Sequence, residues 1–209
     1  MRYLLFLCVI MLGPAQAAPQ KTCSYHTYKW NTLTRRAVAM ERVEKPYRDL
    51  LPEEVDPQTG CSVCEQDQVA IRLGSLPEFR VCRAFAEGLR TELSKLLAAG
   101  FPIYRIEGYR AGRTRGPADA AGNRTQFSNH SYGIAIDINP EHNGLYEHCI
   151  SFGPSCRLIR GGPWDPAKYR ESLTSQGEIV QAMRRLGLLW GGAIEGRQKD
   201  FMHFSPGGY

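Results

Sequence analysis

The chain has 209 residues, with 26 lysines and arginines against 21 aspartates and glutamates and a formal charge of +5. This length suits one domain with an appended segment, and no apolar run reaches the roughly 18 residues of a membrane span, which excludes an integral membrane protein. The positive charge fits either an anionic partner or a solvated surface, and charge alone does not decide between them. The partner that we predict from the motifs below is not a nucleic acid.

The N-terminus has the three parts of a secretory signal peptide. Met1-Arg2 is a short basic start, residues 3–12 are apolar, and residues 15–17 form a small-x-small cleavage site. The apolar run is too short to anchor the chain in a membrane. We therefore predict cleavage after Ala17 and a secreted or periplasmic mature chain of 192 residues, without an integral membrane segment.

The cysteines predict disulfide bonds. Loss of Cys8 with the signal peptide leaves an even number in an exported chain, where thiols oxidise: Cys23, Cys61, Cys64, Cys82, Cys149 and Cys156. Cys149 and Cys156 flank a Gly-Pro-Ser loop and are the first pair we expect. Cys61 and Cys64 are alternatively a redox dithiol or half of a zinc knuckle, but they lack the βαβ context of the one and the second close pair of the other.

The clearest helix is predicted over residues 76–99. Ser75 and Glu78 form a capping box, apolar residues recur at helical spacing, and Gly100 ends the pattern. Before it, residues 18–64 are rich in charge, proline and turns. We predict that they form an irregular, disulfide-pinned N-terminal segment and that residues 65–209 form the main domain.

The remaining elements follow the same patterns. In chain order we predict a strand at 103–109, a polar loop at 111–127, a strand at 133–139, a helix at 176–186 and a strand at 201–204. This succession indicates an α+β fold, with helices packed on a small, mostly antiparallel sheet.

Residues 128–137 carry the first candidate ligands. His130 lies in a turn before the strand, and Asp137 lies on the face of that strand opposite the isoleucines. A catalytic zinc ion takes three such nitrogen and oxygen ligands and keeps one position open. Among five histidines, His203 is the best third ligand, because its neighbour Asp200 is a suitable general base. The alternative is that these are hydrogen-bonded core residues.

The motif Ser-x-His-x-x-Gly-x-Ala-x-Asp at 128–137 resembles the signature of VanY-like D-alanyl-D-alanine carboxypeptidases and L-alanyl-D-glutamate endopeptidases. Residues 186–192 and 199–204 are similar to the closing segment of that family, and Gly108-Tyr109-Arg110 resembles its upstream arginine motif. The resemblance covers about residues 76–206, with the motifs in the order of the family.

The resemblance implies that 65–209 is a zinc peptidase domain with one Zn²⁺ ion. The implied ligands are His130, Asp137 and His203. Asp200 would exchange a proton with water and the leaving amine, Arg110 would bind the substrate carboxylate or polarise the scissile carbonyl, and Ser128 would line the substrate groove.

The sequence departs from the family around the substrate. Ala111-Gly112-Arg113-Thr114 stands where members have Ser and a Gln-containing helix, and residues 142–166 resemble an insertion. Its histidines, His142 and His148, are expected at the surface. The rim of the cleft is therefore the part that the resemblance defines least.

Hydrolysis of an amide bond in the peptidoglycan stem peptide is the function that we predict. A D-Ala-D-Ala carboxypeptidase comes first, because Arg110 could hold a terminal carboxylate, and the L-Ala-D-Glu endopeptidase comes second. A non-catalytic module that binds the cell wall or a partner, as on the related hedgehog scaffold, is a third reading, against which Asp200 argues. A thiol oxidoreductase using Cys61 and Cys64 is the last.

Overall fold

The computed structural model describes residues 21–208, and the predicted signal peptide lies outside them. Within this part of the chain the order is β1 (Thr22–Asn31), β2 (Arg36–Pro46), β3 (Gln68–Ile71), β4 (Phe79–Cys82), α1 (Arg83–Ala98), β5 (Ile106–Glu107), β6 (Arg113–Ala118), β7 (Arg124–Phe127), β8 (Ile136–Ile138), β9 (Leu145–Glu147), β10 (Arg157–Arg160), α2 (Glu178–Arg185), β11 (Leu189–Trp190), β12 (Gln198–Asp200) and β13 (His203–Ser205).

The mixed α+β class is confirmed, but the prediction of one small sheet is wrong. The described strands form four sheets, with the orders β2-β1-β6-β7, β10-β9-β12, β11-β13-β8-β5 and β3-β4. Most of these strands have only two to four residues, so each sheet stays small and is joined to the next through turns and hairpins. None of the described helices is long and apolar enough to cross a membrane.

The N-terminal segment was predicted to be irregular, and this is wrong. It contains the hairpin of β1 and β2. Cys23, Tyr25 and Thr27 are buried on one face of β1, and Ser24 between them is buried as well, so the sequence shows no clean alternation of polar and apolar residues. The predicted loop at 111–127 is likewise a hairpin, of β6 and β7, and β6 pairs with β1. The domain boundary after residue 64 stays a prediction.

The first helix begins later than predicted. The chain is extended at β4, which pairs with β3, and α1 begins only at Arg83. Phe79 and Val81 are buried at alternate positions, so ladder hydrogen bonds and packing override the local capping box at Ser75. The second predicted helix is present as α2, and the predicted strands at 103–109, 133–139 and 201–204 are present in shorter form.

Three disulfides hold the described chain together. Cys149–Cys156 is the pair that the sequence predicts, and Cys23–Cys64 and Cys61–Cys82 tie the N-terminal segment to itself and to β4. Cys61 and Cys64 therefore bond to different partners and are not a redox dithiol. The N-terminal segment is pinned by disulfides, as predicted.

The main core lies between the helices and the sheet β11-β13-β8-β5. Helix α1 contributes a stripe of Ala86, Leu89, Leu93 and Leu96. The sheet contributes Ile106, Ile136, Ile138 and Phe204, all of them at most 3 % exposed. Because side chains alternate along a strand, this arrangement leaves Asp137 on the opposite face of β8.

Gly133 lies very close to other segments of the chain, and its substitution tests how tightly the turn after His130 is packed. Its φ is +68°, and an added Cβ would lie 2.5 Å from the backbone nitrogen of Cys82 and would collide with the Gln68 side chain. We expect Gly133→Ala to lower the free energy of unfolding by about 2–4 kcal/mol, from backbone strain and overpacking together. Denaturant unfolding measures the change.

Gly60→Ala is the matched control. Gly60 has a φ of +71° and nothing within 4 Å of its added Cβ. Strain alone should then cost about 1–2 kcal/mol. Equal losses in the two variants would contradict the close approach at Gly133.

Candidate metal centre

The register of three strands places acidic and basic side chains in one row. Strand β8 lies between β13 and β5, and Asp137 is directly opposite His203 on one side and Glu107 on the other. Residues directly opposite in neighbouring strands point to the same face of a sheet. The side chains of Glu107, Asp137 and His203 therefore form one row. This row lies on the face of the sheet opposite the isoleucines that pack against the helices.

His130 reaches the same face from a turn. It lies in the 3₁₀ turn Asn129–Tyr132, which ends at the left-handed Gly133. The carbonyl of His130 accepts hydrogen bonds from the backbone N–H of Gly133 and of Arg110, both at 3.1 Å. These bonds fix the turn against the segment that follows β5 and direct the imidazole toward Asp137.

The three predicted ligands converge. His130 Nε2 lies 3.1 Å from Asp137 Oδ1 and 3.2 Å from His203 Nδ1, and His203 Nδ1 lies 3.0 Å from the same Asp137 oxygen. All three residues are buried and could hold a metal ion together. Tetrahedral zinc, with bonds of about 2.0–2.1 Å, sets its ligand atoms about 3.3–3.4 Å apart, so the group fits zinc.

The protonation states also suit a cation. His130 Nδ1 lies 2.9 Å from the carbonyl oxygen of Gly108, which can only accept, so the hydrogen belongs on Nδ1 and Nε2 keeps its lone pair. Arg110 Nη1, also a donor, lies 3.1 Å from this Nδ1 and 3.4 Å from the same carbonyl oxygen, so its hydrogen can be directed to the carbonyl. Burial lowers the pKa of His130 to about 4, so the ring is neutral.

Asp137 supplies the negative charge of the group. Burial by itself would raise its pKa, but the neighbouring His130, His203 and Arg110 hold the pKa well below its usual range. His130 Nε2 and His203 Nδ1 both lie within hydrogen-bond distance of the same Asp137 oxygen. A bound cation is the species that would satisfy these atoms together.

Arg110 contacts the centre through a ligand. Its Nη2 donates to Asp137 Oδ2 at 2.7 Å, while Nη1 lies 3.7 Å from Glu107 Oε2. The pair holds the outer oxygen of Asp137 and leaves the inner oxygen for a metal, as partners of metal ligands commonly do. The predicted role of Arg110 in substrate binding stays a prediction.

Asp200 lies at the end of β12, three residues before His203. Its Oδ1 is buried and has no hydrogen-bond partner among the described residues. Burial raises the pKa of Asp200 to about 6, and the charges of His203, Asp137, Arg160 and Arg110 all act on it. A carboxyl group of this kind can exchange protons near neutral pH.

Ser128 lies at the start of the His130 turn, whereas His142 and His148 lie outside the ligand group. The Ser128 hydroxyl lies 3.3 Å from that of Ser131, at the start of the His130 turn, and its role in a groove stays a prediction. His142 packs against the ring of Tyr169 at 4.7 Å, and His148 is exposed. Neither belongs to the ligand group, and His142 is half-buried rather than at the surface as predicted.

Two residues at the centre have no counterpart in the sequence prediction. Glu107 contacts three arginines: Arg105 at 2.7 Å, Arg160 at 3.0 Å and Arg110 at 3.7 Å. Its place directly before Gly108-Tyr109-Arg110 was an available signal. Arg160 lies in the segment interpreted as an insertion, and nothing in the local sequence indicates its position.

Residues 121–206 match the sequence profile of the D-alanyl-D-alanine carboxypeptidase family. The match covers less than half of the chain and shows that this segment is similar to the family. It contains Ser128, His130, Asp137, Asp200 and His203, and it begins after the arginine motif. Comparisons with curated proteins and with solved structures gave no match. The predicted resemblance is thus confirmed for this segment, and the buried group supplies donor atoms that could hold a metal ion.

Metal binding by this group can be tested at one ligand. We expect His203→Ala to lose bound zinc, because two ligands hold zinc far more weakly than three. Equilibrium dialysis followed by metal analysis measures the stoichiometry. His142→Ala, which removes a histidine outside the group, should keep one zinc ion per chain. Full zinc occupancy in the His203 variant would contradict the proposed ligand set.

Proposed function

We propose that this chain is a zinc-dependent D-Ala-D-Ala carboxypeptidase acting on the stem peptide of peptidoglycan. The observation that supports this most directly is the buried His130–Asp137–His203 group, inside the segment that matches the carboxypeptidase family and that also contains Asp200. Three ligands leave one coordination position open, which distinguishes a catalytic zinc site from a structural one.

Each residue of the site would have its own role in the reaction. His130, Asp137 and His203 would hold one Zn²⁺ ion. When bound, zinc supplies Lewis acidity, which polarises a carbonyl and lowers the pKa of water to about 7. Arg110 would keep Asp137 oriented through its 2.7 Å contact and could also face the scissile carbonyl, and Ser128 would line the groove.

Asp200 would be the general base and acid. It would take a proton from the attacking water and return it to the amine that leaves. Burial raises its pKa to about 6, so at neutral pH it is ionised and still basic enough to accept a proton. A module that only binds a ligand has no use for such a group, and this supports hydrolysis over the non-catalytic reading.

The disulfides and the family agree on location. Three disulfides are formed by described residues, and such bonds persist where thiols are oxidised. The peptidase family acts on the cell wall. We therefore propose a secreted or periplasmic protein whose partner is the peptidoglycan stem.

The reaction can be tested on purified muropeptides. The zinc-loaded chain should release the terminal D-alanine, detected by mass spectrometry as the loss of one alanine. Cleavage between L-Ala and D-Glu would assign the endopeptidase instead. Binding without any cleavage would assign the non-catalytic module.

Asp200→Asn tests the base. We expect the rate to fall by about 10²–10⁴-fold while bound zinc stays at the wild-type level, since the variant removes only the proton acceptor. Asp49→Asn, which changes an exposed aspartate paired with Arg48, is the control and should keep full activity. A fully active Asp200 variant would remove this residue from the mechanism.

The pH profile provides a second measurement of the base. Because Asp200 must be ionised to accept a proton, kcat/KM should decrease as pH falls through the pKa of Asp200, which burial raises to about 6 before a metal is bound. Nearby zinc adds positive charge and shifts this limb to lower pH. The acidic limb should be absent from the residual activity of Asp200→Asn, and an unchanged limb in that variant would assign it to another group.

A further inference from the structure

Arg160 reaches the metal centre from the segment that resembles an insertion. Strands β9 and β10 form a hairpin whose loop is closed by Cys149–Cys156, and Arg160 is the last residue of β10. Two residues later, Gly162 donates its N–H to the carbonyl of Pro140 at 2.8 Å. An added Cβ at Gly162 would collide with the backbone of Glu141. The hairpin is therefore packed closely against the turn that follows β8.

Glu107 connects this arginine to the ligand row. Arg160 Nη2 donates to Glu107 Oε2 at 3.0 Å, and Glu107 lies directly opposite Asp137. Opposite residues in antiparallel strands have Cα atoms about 4.5–5.5 Å apart. Arg160 is thus linked to the predicted ligand Asp137 through Glu107, and its charge acts on Asp200 as well.

The three arginines at Glu107 differ in how much of their charge is already paired. Arg110 binds Asp137 and also approaches Glu107, and Arg105 contacts Glu107 and Glu141, each at 2.7 Å. Arg160 contacts one carboxylate, through one nitrogen, among the described residues. Its side chain is 49 % exposed. Of the three arginines at Glu107, Arg160 is therefore the one whose N–H groups remain most available to bind a ligand.

We propose that Arg160 binds the carboxylate at the C-terminus of the substrate, while Arg110 positions the ligand Asp137. This inference rests on the proposed peptidase function and names the residue that recognises the substrate end. A guanidinium presents parallel N–H groups that match a carboxylate with two hydrogen bonds. Arg160 would give up part of its contact with Glu107, which keeps Arg105 as a partner.

Binding of two matched peptides tests this assignment. The probes are an N-acetylated peptide ending in D-Ala-D-Ala with a free carboxylate and the same peptide as a C-terminal amide. Calorimetry with the zinc-loaded Asp200→Asn variant measures both without turnover. We expect the free acid to bind about tenfold more tightly than the amide, and we expect Arg160→Gln to abolish this preference.

Two further variants separate charge recognition from general damage. Arg157→Gln changes an arginine on the same strand that pairs with Glu147, and it should keep the preference for the free acid. Arg160→Lys should keep part of it, because a lysine retains the charge without the planar fork. Zinc content should be equal in all of these variants.

The outcomes distinguish this inference from the proposed function. If Arg160→Gln keeps the full preference, or if the parent protein prefers neither peptide, Arg160 does not recognise the carboxylate. If wild-type protein cleaves no stem peptide, the proposed function fails, and the binding comparison still decides the role of Arg160. Equal weakening of acid and amide in Arg160→Gln would indicate a structural role and would overturn the assignment.

Discussion

The buried carboxylate of Asp137 is the constraint on which the site depends. A charge inside a protein is costly unless it is paired, and Asp137 is only 2 % exposed. Arg110 holds one oxygen, and His130 and His203 face the other. Removing a partner from a buried charge typically costs about 3–5 kcal/mol. The buried charge of Asp137 is therefore stable only when Arg110, His130 and His203 are all in place. This requirement fixes the register of the strands and the turn around them.

Segments far apart in the chain support this arrangement. The hydroxyl of Tyr109, next to Arg110, donates to the carbonyl of Val63 at 2.6 Å. The hydroxyl of Tyr132, in the His130 turn, donates to the carbonyl of Glu53 at 2.8 Å. The N-terminal segment with its disulfides thus braces both sides of the centre. On the side of β5, the β9–β10 hairpin places Arg160 in contact with Glu107. The metal-binding group is central, and the surface around it is built by segments outside the matched residues as well as within them.

The sequence predicts parts of this structure well where the signal is local. His130 and Asp137 lie seven residues apart in one motif, and the turn and short strand between them are local structures. Helix α2 lies at its predicted position because its apolar face follows a helical period. The start of α1 was wrong, since the capping box at Ser75 competes with a strand pairing that only β3 supplies. The β1–β2 hairpin was missed because its buried positions include Thr27 and Cys23, which carry little apolar signal.

The sequence by itself determined the types of donor atom, the order of the motifs, the family resemblance of residues 121–206 and the even number of cysteines left after loss of Cys8. These follow from residue identity and short spacing. Only the tertiary structure decided that Arg110 pairs with Asp137, that Glu107 joins the ligand row and that Arg160 keeps donors for a ligand. The physical reason is that a charged side chain takes its partner from whatever the strand register brings within about 4 Å. That register depends on pairing between residues as distant as 137 and 203, which no local pattern encodes.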